Sequence, residues 1–142
     1  MLEHELHFLL LQAFQYNSKA ITKEILSLGL FPGQPKILEY LLEHNGAVAK
    51  EIGTGCVLDK STITSLLLRM EKQDLIVRKK HDSDKRSSYI YLAQKGMSLA
   101  RKVKKLFSEI DETAFQTVSE KEREHFLETL QTIIHNLQEA QS

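Results

Sequence analysis

The sequence predicts a mainly α-helical chain that carries one β-hairpin in its second half. Apolar residues recur at spacings of three and four through most of the 142 residues, the period of a helix with one buried face. That rhythm breaks once. Leu75-Ile76-Val77 and Tyr89-Ile90-Tyr91-Leu92, both rich in β-branched or aromatic residues, flank a polar stretch and read as two strands. The charge is also segregated around that break. Residues 69–105 hold 12 Lys/Arg against 4 Asp/Glu, residues 1–68 hold 5 against 7, and residues 106–142 hold 2 against 8. A net charge of zero therefore conceals a central basic block and an acidic tail. Phosphate binding responds to local rather than total charge, although a charge run is also an ordinary way to solvate a surface.

Length and composition fit one domain, spanning 1–142. Hydrophobic residues make up 42% and charged residues 27%, enough for a core under a soluble surface. No apolar run approaches the roughly 18 residues that a membrane span needs, so no membrane partner is expected. Residues 1–14 carry an apolar patch but no basic segment and no small-residue cleavage site, so they do not read as a signal peptide. One cysteine, Cys56, cannot form an internal disulfide, and a cytoplasmic location is expected.

The elements follow in order. Leu6, Leu9, Leu10, Ala13, Phe14, Ile21, Ile25 and Leu28 predict a helix over 2–28, with a kink at Asn17-Ser18 and a stop at Gly29. Residues 30–35 form a loop, and Pro35 suits the first turn of the next helix. Ile37, Leu38, Leu41 and Leu42 give that helix one apolar face, ended by Asn45-Gly46. Residues 47–55 read as a short helix that Gly53 and Gly55 weaken. A turn through 56–58 leads to a stronger helix capped by Asp59, with Ile63, Leu66, Leu67 and Met70 facing inward. The two strands come next, joined by 79–87. A long helix over about 95–118 presents Leu99, Val103, Leu106, Ile110, Ala114 and Phe115 along one stripe. Ser119 and Glu122 fit a capping box for a last helix carrying Phe126, Leu127, Leu130, Ile133, Ile134 and Leu137.

The central helices and hairpin, about 30–98, make a winged helix-turn-helix. The segments of about 1–29 and 99–142 flank it. Ser61, Thr62, Thr64 and Ser65 crowd the outer face of the helix after Asp59, where short hydroxyls allow close approach to base edges and phosphates. The plainer reading is that they cap and fill the turn. Arg69, Arg78, Lys80, Lys85 and Arg86 supply cations for the DNA backbone, and Arg86 at the hairpin tip suits a narrow minor groove. Asp84 repels phosphate, and makes sense as a brace paired with Arg78 or Arg86. A charged tip also protects an edge strand.

Several stretches resemble the MarR family of bacterial transcription factors. Lys50-Glu51-Ile52 and Asp59-Lys60-Ser61-Thr62-Ile63-Thr64 are similar to its helix-turn-helix. Arg69-Met70-Glu71-Lys72-Gln73-Asp74-Leu75-Ile76 resembles its R-L-E-K-x-G-L-[IV] stretch. Asp84-Lys85-Arg86, Tyr89-Ile90-Tyr91-Leu92 and Lys95-Gly96 resemble its wing, and Ser119-Glu120-Lys121-Glu122 the start of its last helix. The match runs over nearly the whole chain. Departures are His81 where the family often has Asp, Asp74 for a frequent Gly, Ala93 for a frequent Thr, and Gly53 and Gly55 where helix formers are usual. The resemblance implies a homodimer with interlocking terminal helices, a pseudo-palindromic operator and a repressor released by a small aromatic or phenolic ligand, an oxidant or a metal. The apolar residues of both terminal segments independently call for a covering surface.

Among effector sites, a pocket for a small aromatic or phenolic molecule is expected near Phe8, Phe14, Tyr16 and Phe31, although aromatics at helical spacing also serve as core. Cys56 falls where the family carries a buried apolar residue, and no cation flanks it to lower its pKa. The family's peroxide-sensing branch carries its cysteine near the N-terminus, unlike this chain. His4 and His7 share a helical face, but with His125 and His135 they make no tight metal cluster. No metal or cofactor is expected. No nucleophile–base pair or phosphate loop supports an enzyme. A winged helix that binds protein and has lost DNA remains the alternative to a DNA reader.

Overall fold

A computed structural model describes residues 1–80 and 88–142. Six α-helices and a two-stranded antiparallel sheet account for most of them: α1 (Leu6–Ile25), α2 (Gln34–Glu43), α3 (Ala49–Gly55), α4 (Lys60–Lys72), β1 (Ile76–Lys80), β2 (Ser88–Leu92), α5 (Gln94–Ala114) and α6 (Glu120–Ala140). Short 3-10 turns flank α1 at Leu2–His4 and Leu26–Leu28. The chain divides into two units, 1–108 and 109–142.

The first unit holds the core. Ile37, Leu38 and Leu41 of α2, Ile52 of α3, Leu67 and Met70 of α4, Ile76 of β1, Ile90 of β2 and Val103 of α5 are fully buried. The expected inward stripes thus meet in one place. Gly29 and Gly33 take positive φ at the ends of the connection between α1 and α2, a conformation that costs glycine nothing. Pro35 stands in the first turn of α2.

Three local expectations change. α1 runs unbroken through Asn17 and Ser18, because two poor helix formers cost only tenths of a kcal/mol each, about what one apolar contact returns. The glycines of α3 serve close packing. Gly53 is buried, and a Cβ there would stand 3.3 Å from the Leu58 carbonyl oxygen, while one on Gly55 would collide with the Tyr40 ring. The long fifth helix ends at Ala114 rather than near Val118.

The sheet pairs Ile76 with Leu92, Arg78 with Ile90 and Lys80 with Ser88. The other edge of β2 is held by residues 45–47. The Ile90 N–H donates to the Ala47 carbonyl at 3.0 Å, its carbonyl accepts from Gly46 N–H at 2.8 Å, and the Asn45 side-chain oxygen accepts from Leu92 N–H at 2.8 Å. β2 is therefore a central strand with partners on both sides, which fixes the root of the hairpin against α2 and α3.

The second unit contains the end of α5 and all of α6. Ser119 Oγ accepts from Glu122 N–H at 3.2 Å, the forward half of the expected capping box. Arg123 donates to Glu112 at 2.7 Å and lies 4.5 Å over the Phe115 ring, which meets Phe126 edge-on. Phe126, Leu127, Ile134 and Leu137 remain exposed.

Candidate nucleic-acid interface

The helix-turn-helix is α3, a turn, and α4. Asp59 caps α4: its Oδ1 accepts from Thr62 N–H at 2.7 Å and from Ser61 Oγ at 2.9 Å. These bonds, and a further one from the Thr62 hydroxyl, hold the Asp59 carboxyl below its ordinary pKa, since they stabilise the ionised form. Glu51 of α3 accepts from Val48 N–H at 3.1 Å, so both helices of the motif have polar starts.

Ser61, Thr62, Thr64 and Ser65 are all exposed on α4, opposite the buried Ile63, Leu67 and Met70. Their hydroxyls are unequal. Ser61 and Thr62 serve the cap, and Thr64 Oγ1 donates to the Lys60 carbonyl at 2.8 Å. Each keeps lone pairs to accept with but has spent its proton. Among the described residues, Ser65 is the hydroxyl of the four that no hydrogen bond occupies.

The cations divide similarly. Lys80 is exposed at the end of β1. Arg78 is turned toward α4, with Nε 3.4 Å from Glu71 Oε1, so its pairing within the described residues is to a helix carboxylate and fixes β1 against α4. Lys79 projects over the Tyr91 ring at 5.1 Å. Arg69 is exposed in the last turn of α4, with its guanidinium 4.7 Å above the Phe31 ring. Asp84, Lys85 and Arg86, together with the departure at His81, lie outside the described residues.

Sequence reasoning missed the brace behind α4. Gln34 is 0% exposed. Its Oε1 accepts from Phe31 N–H at 3.0 Å, and its Nε2 donates to Gln73 Oε1 at 2.8 Å. Gly33 lies against Leu66, close enough that a Cβ would stand 2.9 Å from it. With the Arg69–Phe31 stack, these contacts tie the turn before α2 to the C-terminal half of α4. Lys95 Nζ adds a bond to the Gln73 carbonyl at 3.2 Å. A glutamine beside a helix-starting proline was the available signal, but its partner is 39 residues away.

The effector candidates scatter. Phe14 and Tyr16 are exposed on α1, at 68% and 71%, and Phe8 is half-buried. Phe31 is engaged by Arg69, which joins a residue expected in a ligand pocket to one expected on DNA. Cys56 is buried, and its Sγ lies 3.5 Å from the Lys36 carbonyl oxygen. Burial pushes its thiol pKa up; Lys36 opposes that and Glu39 adds to it. A cation does therefore stand nearby, brought by α2, but burial outweighs it. His7 Nδ1 lies 3.6 Å from Glu5, and among the described residues no three His, Cys, Asp or Glu side chains gather to hold a metal. Nor is any described helix long and apolar enough to cross a membrane.

Known proteins share this arrangement. The family model for MarR matches residues 30–88. The organic hydroperoxide resistance transcriptional regulator of Bacillus subtilis is 36% identical over 101 residues, covering 71% of this chain and 69% of that protein. A MarR-family transcriptional regulator from Silicibacter pomeroyi superposes with a TM-score of 0.87 at 25% identity, over 96% of this chain and 92% of that one. S. aureus MepR, solved with DNA, superposes with a TM-score of 0.84 over 93% of this chain and 98% of that one. At 22% identity, that last likeness speaks for the fold alone.

Proposed function

The chain belongs to the MarR family of transcriptional regulators, and from that premise we propose that it is a homodimeric repressor of a pseudo-palindromic operator, released by a small aromatic or phenolic effector. The observation that carries the reading is α4. Its inner face is locked into the core, its start is capped by an ionised Asp59, and its outer face offers small hydroxyls to the solvent. Such a helix enters a major groove without steric obstruction. Ser61, Thr62 and Thr64 contact bases there, and Ser65 a base or a phosphate. Arg69, Lys80, Lys85 and Arg86 take phosphates and the adjacent minor groove, with Arg78 holding the root of the wing.

The dimer is supported by what one chain leaves uncovered. Leu6, Leu9 and Phe14 on α1, and Phe126, Ile134 and Leu137 on α6, are each at least 45% exposed. A second copy covers both sets and places two reading helices on one side of a duplex. The effector sits against the aromatic side chains of α1 and Phe31. Thiol oxidation is a poorer fit as the release signal, because a buried Cys56 with a raised pKa lacks the thiolate that attacks peroxide. The cytoplasm is the compartment such a regulator needs.

Selection of bound duplexes from a random pool, with the mass of the free protein and of the complex, tests this directly. A two-fold repeated site, a dimeric mass and a steep fall of affinity with salt are expected. A salt slope near zero would instead favour a protein-binding winged helix. On the selected site, Arg86→Ala should cost about 1–3 kcal/mol, and unchanged affinity would remove the wing from recognition.

A further inference from the structure

The turn between α3 and α4 holds a residue that the reading hydroxyls do not explain. Val57 has φ 56 and 89% of its surface exposed. In the left-handed region the branched Cβ crowds the backbone, so valine is a true outlier there. The turn is firmly set around it. Cys56 N–H donates to the Ile52 carbonyl at 2.9 Å, Val57 N–H to Thr54 at 3.3 Å and Leu58 N–H to Gly53 at 2.8 Å. Cys56 is buried on one side and Leu58 half-buried on the other. Only the Val57 isopropyl group projects outward, at a fixed place two residues before the Asp59 cap.

Folding stability runs against valine at this position. Glycine or asparagine would adopt the same backbone with little strain and would expose less apolar surface. What valine supplies is a rigid apolar group at the start of the reading helix. Strain retained at a binding surface is grounds for a functional hypothesis. We infer that Val57 is a specificity-determining contact that packs against apolar carbon on duplex DNA where α4 enters the groove. Two sources of such carbon lie there, the thymine 5-methyl group, which marks one edge of an A·T pair in the major groove, and the deoxyribose ring of the flanking backbone. This inference rests on the DNA-reading role of α4 proposed above.

The test compares wild type, Val57→Gly and Val57→Asn for melting temperature and for affinity to the duplex selected from the random pool. Both variants should melt at or above wild type and bind about tenfold more weakly, a difference of about 1.4 kcal/mol. Opposite movement of stability and affinity is a signature that a merely structural residue would not give. A thymine-to-deoxyuridine scan of the duplex then identifies the carbon. A position whose substitution weakens wild type but leaves Val57→Asn unchanged assigns the contact to the thymine methyl; no such position, with the variants still weak, assigns it to deoxyribose. Variants that melt higher and bind as tightly as wild type would overturn the inference while leaving the DNA-reading role intact. Wild type that selects no duplex would overturn that role, and the inference with it.

Discussion

Replacing Gln34 by leucine probes the brace that holds the reading helix. The two side chains are similar in size, so the change removes polarity rather than volume. It deletes the 3.0 Å bond that Gln34 Oε1 accepts from Phe31 N–H and the 2.8 Å bond from Nε2 to Gln73. A buried polar group left without a partner costs about 1–3 kcal/mol. The Phe31 N–H bond is part-buried and half-buried Gln73 can turn to water, so the cost falls near the middle of that range. Burying the added apolar surface returns about 1 kcal/mol. A net loss of about 1 kcal/mol is expected, which for a chain of this size lowers the melting temperature by about 3–5 °C. Calorimetry at one fixed protein concentration measures it, since the midpoint of the proposed dimer depends on concentration. Operator affinity measured well below the midpoint should also fall, because the C-terminal half of α4 loses its tie to the turn before α2. A midpoint within 1 °C of wild type would show that the pair contributes nothing net and would refute the bracing argument.

Other perturbations address separate parts of the molecule. Asp59→Ala should lower the melting temperature at neutral pH, and the deficit should shrink in acid. The folded carboxyl has a lowered pKa, so its contribution is complete above the unfolded carboxylate pKa and disappears as pH falls through the folded value. Paired melts from neutral pH to pH 2, with Asp59→Asn as a cap that does not titrate, check the sign. Gly96→Ala should lower the denaturant midpoint, because its Cβ would run into the Leu75 carbonyl oxygen, which also accepts from Ala93 N–H. Overpacking of about 1–3 kcal/mol outweighs the roughly 1 kcal/mol by which alanine favours a helix. Hydroperoxide should leave DNA binding unchanged and modify Cys56 only in denaturant, as mass spectrometry would record. Truncation before about Ser119 should give a monomer or an aggregate, seen by light scattering; a stable dimer would refute a role for α6 in assembly.

The order of elements was legible because most of it depends on neighbours in sequence. Apolar spacing, the Asp59 and Ser119 caps and the alternating hairpin all act within a few residues; the apolar faces named on α2 and α4 are largely buried, whereas those named on α1 and α6 stay largely exposed in the single chain. What escaped the sequence depends on distant partners. Gln34 meets Gln73 and Arg69 meets Phe31 only after folding, and Lys36 approaches Cys56 across a helix. Positive φ at Val57 and Asp74 was equally hidden, since neither residue type announces it. Asp74 stands where related chains often carry glycine, and its left-handed backbone gives the physical reason for that preference.

The same contrast bears on how α4 can act. Its four outer hydroxyls looked alike in the sequence, yet three have already given their protons to the start of the helix itself. Ser61 and Thr62 therefore organise Asp59 and can offer DNA only lone pairs, which phosphate oxygens cannot use. They can accept from an adenine or cytosine amino group. Ser65, with its proton unspent, can serve a phosphate or a base acceptor. Removing the Ser65 hydroxyl should therefore weaken binding to many sequences if it holds a phosphate, whereas removing that of Thr62 should relax the preference at single base pairs and leave non-specific affinity nearly unchanged. Capping and reading are thus not rival roles for these residues: the cap decides which face of the base pair each hydroxyl is able to recognise.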